Sequence, residues 1–324
     1  MVQKIEISSR TIIFTVFFLL FLWILWIIRE LIFALLFAFI FMSAFKPAVS
    51  YLHRKKIPRG IAAFVIFATA IGSAVFLFRF ILPPVVGEII IFVKNLPSLI
   101  TAAFPFLASS INTDSLVGLL PNITNNAFRL VTGVFSNVIF LISVLFFTYY
   151  FLLEEQFLGS FVGKFLEKHK ADLILDIIDK VEKRMHAWVW GEFVLMMIIG
   201  IMTYIGLSFL GVKFGLSLAV IAGLLEVVPI IGPILSAVPA FFVAGAVSPV
   251  LGGTIIVLYV IIQQLENNLI VPMIMRRAVG MNPVLTLIAL SIGGKLGGVF
   301  GIILGVPIAL AVETILIEVS KNRH

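Results

Sequence analysis

Residues 224–235 read Leu-Leu-Glu226-Val-Val-Pro229-Ile-Ile-Gly232-Pro233-Ile-Leu. An acid and two prolines interrupt a region, 216–247, that is otherwise apolar. The part before the prolines, 216–228, would reach about 20 Å as a helix, short of the roughly 30 Å of a bilayer's hydrocarbon core. Pro229 and Pro233 cannot continue that helix, and Gly232 permits a tight turn. Residues 234–247 then form a second short apolar helix. This pattern predicts a re-entrant hairpin. Broken backbone at membrane depth is tolerated only against protein or a water-filled cavity, so the interruption points to one or the other.

The rest of the chain fits a membrane setting. Of 324 residues, 61% are hydrophobic, 12% are charged and 32 are Phe, against about 45–50% apolar and about 25% charged in soluble domains. A soluble globule of this size has no interior large enough for that surface, which excludes a cytosolic enzyme. The excess falls in separate runs at 11–28, 31–49, 60–82, 134–153 and 188–210. Further runs, several of them interrupted, lie at 216–247, 249–275, 278–294 and 296–317. The predicted fold is all-α and polytopic, with about eight transmembrane helices, the re-entrant hairpin and broken helices in the C-terminal part. The first run lacks a small-residue cleavage site and a second follows at once, so it reads as an anchor and not a removed signal peptide. With no Cys, disulfides and thiolate metal sites are excluded.

Basic residues set the expected orientation. With the N-terminus inside, the inner segments hold Lys4, Arg10, Arg54, Lys55, Lys56, Arg59, six basic residues within 154–187, Arg276, Arg277, Lys321 and Arg323. The outer ones hold only Arg29, Lys94, Arg129, Lys213 and Lys295. Lys46 and Arg79 sit near span ends, where they can snorkel. Both termini are therefore expected in the cytoplasm, and the net charge of +7 suits anionic lipid better than nucleic acid.

Four segments follow from this reading. Residues 1–82 are N-terminal spans. Residues 83–133 are an extracytoplasmic amphipathic helical segment, in which Pro83, Pro84, Pro97, Pro105 and Pro121 predict short helices and Val85, Ile89, Phe92 and Leu96 form an apolar stripe. Residues 134–187 are the fourth span and cytoplasmic amphipathic helices, with stripes Phe157, Phe161, Phe165 and Ile174, Ile177, Ile178, Val181, Met185. Residues 188–324 are the transport region, which carries most of the intramembrane Gly, Pro, Glu and Asn.

A second interruption lies at Gln263-Gln264-Leu-Glu266-Asn267-Asn268, followed by Pro272. If its helix enters near Pro249, Glu266 lies about 27 Å along it, at a depth comparable to Glu226. Two acids, two Asn side chains and freed carbonyls are thereby expected to converge, as at the discontinuous helices of secondary transporters. An intramembrane Glu is a functional-site hypothesis by default, because an acid withdrawn from water holds and exchanges protons differently from one in solution. The candidate substrate- or ion-binding residues are Glu226, Pro229, Gly232, Pro233, Glu266, Asn267 and Asn268. No metal motif is present, although transient sodium at Glu226 and Glu266 is compatible with this set. Glu192 and Glu313 read as snorkelling at span ends, and Lys295 as interfacial. Gly293, Gly297, Gly301 and Gly305 recur every four residues, with Gly294 and Gly298 in a second row. With Pro272 they are the candidate hinge and packing positions, either as a smooth helix face or in part as the turn between the last two spans.

These motifs also carry a resemblance. Glu226-Val-Val-Pro-Ile-Ile-Gly-Pro, Glu266-Asn-Asn-Leu-Ile-Val-Pro272, Val279-Gly-Met-Asn-Pro283 and the Gly-rich 293–307 ending in Gly-Val-Pro307, with Lys46-Pro47 and Ile57-Pro58-Arg59 earlier, resemble the autoinducer-2 exporter family of membrane transporters over nearly the whole chain. The resemblance implies an eight-span inner-membrane protein of a prokaryote, homo-oligomeric, with an elevator-like movement of its C-terminal part. Members are associated with export of autoinducer-2, some with sodium–proton antiport. Asn282 stands where many members carry His.

Other chemistries lack their motifs. Gly163-Lys164 is not a phosphate-binding loop, and neither a His-Glu-x-x-His metal motif nor a Gly-x-Ser-x-Gly elbow occurs. His53, His169, His186 and His324 share no ligand spacing and are expected to be solvated, and Asn122-Ile-Thr124 matches a glycosylation sequon only formally. The expected function is ion-coupled export of a small polar solute such as autoinducer-2 by alternating access. Alternatives are a sodium–proton antiporter, a non-transporting membrane scaffold and, most weakly, an intramembrane enzyme. No cofactor and no nucleic-acid partner are expected; lipids, the solute or ion, and further copies of the chain are.

Overall fold

A computed structural model describes residues 9–103, 138–154, 162–164, 166–275 and 283–321. Among these the secondary structure is helical throughout, with no strand. The helices are α1 (Ser9–Ile27), α2 (Arg29–Arg54), α3 (Arg59–Ala103), α4 (Val138–Leu153), α5 (Lys168–Phe209), α6 (Gly215–Leu225), α7 (Ile231–Val247), α8 (Pro249–Leu265), α9 (Val271–Ile274) and α10 (Pro283–Lys321). Six stretches are long and apolar enough to cross a membrane: Arg10–Ile27, Arg29–Arg54, Arg59–Phe76, Lys168–Phe209, Pro249–Ile274 and Val284–Lys321. The chain is a multi-pass helical membrane protein.

Two helices run further than the sequence predicts. α3 continues through Pro83, Pro84 and Pro97 for 45 residues, so the short helices expected there are not what forms. Each proline removes one backbone donor, but its φ already suits a helix, and the uninterrupted turns on either side carry it through. α5 joins the expected cytoplasmic stripe to the following span in one 42-residue helix. Ile177, Val181 and Met185 of that stripe are buried. The divisions drawn at 82/83 and 187/188 thus fall inside helices. Residues 105, 121, 157, 161, 165, 276–282 and 322–324, and the side chains of Val85, Ile89, Phe92 and Leu96, lie outside what the structure describes.

Close packing ties the helices together. Phe37 of α2, Phe140 of α4 and Phe300 of α10 form one aromatic cluster, with Phe140 and Phe300 centroids 4.9 Å apart. The Arg59 side chain at the start of α3 donates to the Leu152 carbonyl of α4 at 2.8 Å. α5 lies against α6, α2 and α10. Ser248 caps α8 by accepting from the Val250 amide, with Pro249 in the first helical position.

α10 is two arms. Gly298 has φ 56° and ψ −135°, and the chain reverses there. Gly293 lies against the Gly301 carbonyl, and Gly305 against Ala289, contacts that a straight helix cannot make. Lys295 beside the reversal is exposed. The glycine row is therefore not a face presented by one helix: Gly293 meets Gly301 across the reversal, and Gly297 sits under the Phe33 ring of α2. A further Cβ at any of these three positions would overlap its neighbour. The turn alternative in the sequence reading is the one that matches, displaced to Gly298.

Candidate functional site

Glu226 closes α6, and the next four residues turn the chain into α7. The tightest point is Ile230, at φ 70° and ψ −51°. The Ile231 amide donates to the Pro229 carbonyl at 2.8 Å, which makes Ile230 the centre of a γ-turn. For a β-branched residue this is a strained conformation, of the kind that persists only where the surroundings enforce it. The sequence reading gave the tight turn to Gly232. The structure instead places Gly232 in the first turn of α7, where it is buried and a Cβ would overlap the Leu225 carbonyl. Its small size lets the two helices begin and end almost in contact. Pro229 and Pro233 flank this point, half-buried.

The second interruption is a widening and not a break. Residues Glu266–Ile270 form one π-helical turn between α8 and α9, and the Val271 amide donates to the Glu266 carbonyl five residues back. Pro272, which lacks an amide proton, follows directly and helps stop the regular pattern from re-forming. This turn projects Glu266 inward while Asn267, Asn268 and Leu269 stay exposed.

Glu226 and Glu266 meet. Their carboxyl groups lie within hydrogen-bonding reach of each other; a hydrogen bond between two carboxyl groups requires that one carries a proton. The Gln263 amide donates to Glu266 Oε2 at 3.0 Å. Glu226 is 2% exposed, and its Oε2 has no hydrogen-bond partner. The expected Asn donors are elsewhere. The Asn268 amide bonds the Gln264 carbonyl at 2.9 Å and its Oε1 at 2.8 Å, and the exposed Asn267 lies away from the acids.

Glu192 was assigned to a span end, yet the structure buries it to 5% exposure on α5, close enough for its charge to act on Glu226 and Glu266. The signal was available: Trp188, Glu192, Leu195 and Ile199 recur at helical spacing, and all are buried. Glu313 does not snorkel either; it accepts from Arg184 at 2.8 Å. Arg184 also donates to Thr314, Lys180 bonds Glu318, both at 2.8 and 2.7 Å respectively, and Lys46 pairs with Glu182. His186 is half-buried with Nδ1 against the Ala44 carbonyl. Among the described residues no three His, Cys, Asp or Glu side chains are arranged to enclose a metal ion.

A many-helix membrane protein that buries acids against each other at two interrupted helices is of the transporter class. Comparison with known sequences makes the class specific: the profile described as AI-2E family transporter matches residues 12–321, and the chain belongs to that family. It is 28% identical over 317 residues to "Putative transport protein YueF" of Bacillus subtilis, covering 91% of this chain and 85% of that one. A Borreliella burgdorferi protein named "Putative transport protein" is 24% identical over 85% of this chain and 77% of its own. "Putative permease PerM" of Escherichia coli is 22% identical over 57% and 52%.

Proposed function

We propose that the chain is an ion-coupled secondary transporter that exports a small polar solute, such as autoinducer-2, by alternating access. The observation that carries this reading is the buried oxygen of Glu226, unpartnered and facing a second acid in a region with no soluble-protein role for it. A charge left this way is costly unless it is exchanged for a proton or a cation. In this reading the α6–α7 pair is re-entrant, eight segments cross, both termini are cytoplasmic, and the working unit is a homo-oligomer whose C-terminal part moves as an elevator. The Gly298 reversal and the close Gly293–Gly301 contact support a compact mobile hairpin. No enzymatic step is assigned.

The test is solute flux in proteoliposomes with pH and sodium gradients imposed independently. Gradient-driven flux is expected to be lost in Glu226→Gln. Unchanged flux with an unchanged pH dependence removes the coupling assignment. A second reading, sodium–proton antiport with ions as the only cargo, is favoured by Asn267 and Asn268 facing away from the acids. Proton release on adding sodium without organic solute selects it.

A further inference from the structure

The Glu226–Glu266 pair has a neighbour that no motif marks. Glu192 stands between Trp188 and Leu195, which pack in the same apolar cluster as Ile262 and Ile270, the residues one turn either side of Glu266. One residue before it, Gly191 abuts the Met275 sulfur and Ile274, just after the π turn. Three elements therefore deliver one acid each to a single apolar interior: α5, the end of α6 and the π turn. Glu192, Glu226 and Glu266 are 5%, 2% and 6% exposed.

The surroundings offer no counter-charge. None of the three acids forms an ion pair with a Lys or Arg among the described residues. On α5 itself Arg184 is held by Glu313 and Thr314, and Lys180 by Asp176 and Glu318. From α2, Lys46 is taken by Glu182, and the Ala44 carbonyl faces His186 and the Trp190 ring nitrogen. α6 brings Glu226 alone. α8 and the π turn bring Tyr259, Gln263 and Glu266, of which Gln263 is a neutral donor to Glu266. α10 brings Glu313 and Glu318, both paired. Charge balance must then come from protons or from an arriving cation. The independent sign of a missing partner is the Glu226 Oε2, buried with nothing bonded to it.

We infer that Glu192 is a third proton-exchanging acid of this site, acting on Glu226 and Glu266 through its charge and not as a ligand to the cargo. It is a positioning residue in the electrostatic sense: it sets how many protons the site gives up when a cation arrives. The inference rests on the reading of Glu226 and Glu266 as the coupling pair, and the experiment separates the two.

Full-length protein in weakly buffered detergent is titrated with sodium chloride while a pH dye counts protons released. The same variants are then assayed for sodium-driven proton flux in liposomes across pH. Glu192→Gln is expected to release fewer protons per sodium bound and to lower the pH of half-maximal exchange by about one unit, the scale of removing one like-charged neighbour. Glu192→Asp keeps the acid and is expected to restore proton release. If Glu192→Gln keeps both the wild-type count and profile while Glu226→Gln abolishes exchange, Glu192 is only a packing residue and the inference fails alone. If Glu226→Gln also leaves exchange intact, the coupling pair itself is misassigned. Should Glu192→Gln not fold, Glu192→Asp decides: a displaced profile with exchange retained supports the role, and a wild-type profile overturns it.

Discussion

Gly223 is where α6 comes closest to α5. A Cβ there would stand 2.7 Å from the Met196 carbonyl oxygen and 3.3 Å from Gly200 Cα. Ordinary contact begins at 3.4 Å, so Gly223→Ala must open the crossing by roughly 0.7 Å. A gap of that order forfeits about a quarter to a half of each dispersion contact it interrupts. Ser217, Leu218, Ala219 and Ala222 are buried along this face, so the expected cost is about 1–3 kcal/mol, the usual range for inserting one methyl into a filled interior. The facing glycine behaves differently. A Cβ on Gly200 would lie 3.5 Å from the Ala219 oxygen and 3.7 Å from Gly223 Cα. Gly200→Ala therefore fits, with an expected change within about 0.5 kcal/mol.

The comparison is clean because helices in a bilayer or micelle remain largely formed when tertiary contacts are lost, so helix propensity contributes little. The assay is denaturation of purified protein in mixed micelles, followed by loss of tertiary structure. Gly253→Ala, with no atom within 4 Å of the added carbon, is the neutral control. Gly223→Ala should show the lowest midpoint of the three. It should also reduce transport, since Glu226 lies less than one turn further along the same helix. Equal midpoints for Gly223→Ala and Gly200→Ala would refute the packing argument.

Gly298→Ala places a side chain at φ 56°, ψ −135° and is expected to cost about 1–3 kcal/mol in the same denaturation assay; no loss would mean that the reversal sits elsewhere. Ile230→Gly relieves the γ-turn and gives up a side chain that is 41% exposed, so it should raise the denaturation midpoint while lowering transport, and a lowered midpoint would show that Ile230 is held by packing and not by strain. Arg184 and Glu313 are each about a quarter exposed, so a double-mutant cycle should return a coupling of about 0.5–1 kcal/mol that weakens with salt; zero coupling would remove this pair as a link between α5 and α10.

The membrane class and the two interruptions were legible because both rest on one-dimensional signals: run length, Pro, Gly and acids in apolar surroundings. The forms of the interruptions were not. A proline reports a missing donor, but whether the chain answers with a turn, as after Glu226, or with a widened helix, as at Glu266, depends on what packs around it. Pro83 and Pro84 show the limit from the other side, since two adjacent prolines did not end α3. Glu192 was misplaced because depth was judged from distance to the run's end at residue 188, whereas α5 continues twenty residues before that point. The pairing partners of Lys46, Lys180 and Arg184 were invisible for the same reason: each lies more than 120 residues away in sequence.

The irregular backbone is unevenly spread, and its placement has a physical reading. Positive φ at Lys56 and Phe214 occurs in connections between helices, where left-handed residues commonly end one helix and begin the next. The γ-turn at Ile230 and the π turn at Glu266–Ile270 are different, because each sits beside a buried acid and each costs regular hydrogen bonding. Regular helices would have removed that cost but would also have turned the acids: one residue fewer in the Glu266 turn rotates every later side chain by about 100° around the axis. The irregularities are therefore what fixes the directions of Glu226 and Glu266 toward each other. A fold selected only for stability in lipid would discard both the strain and the acids, so their retention together is the physical argument that this interior is built for exchange.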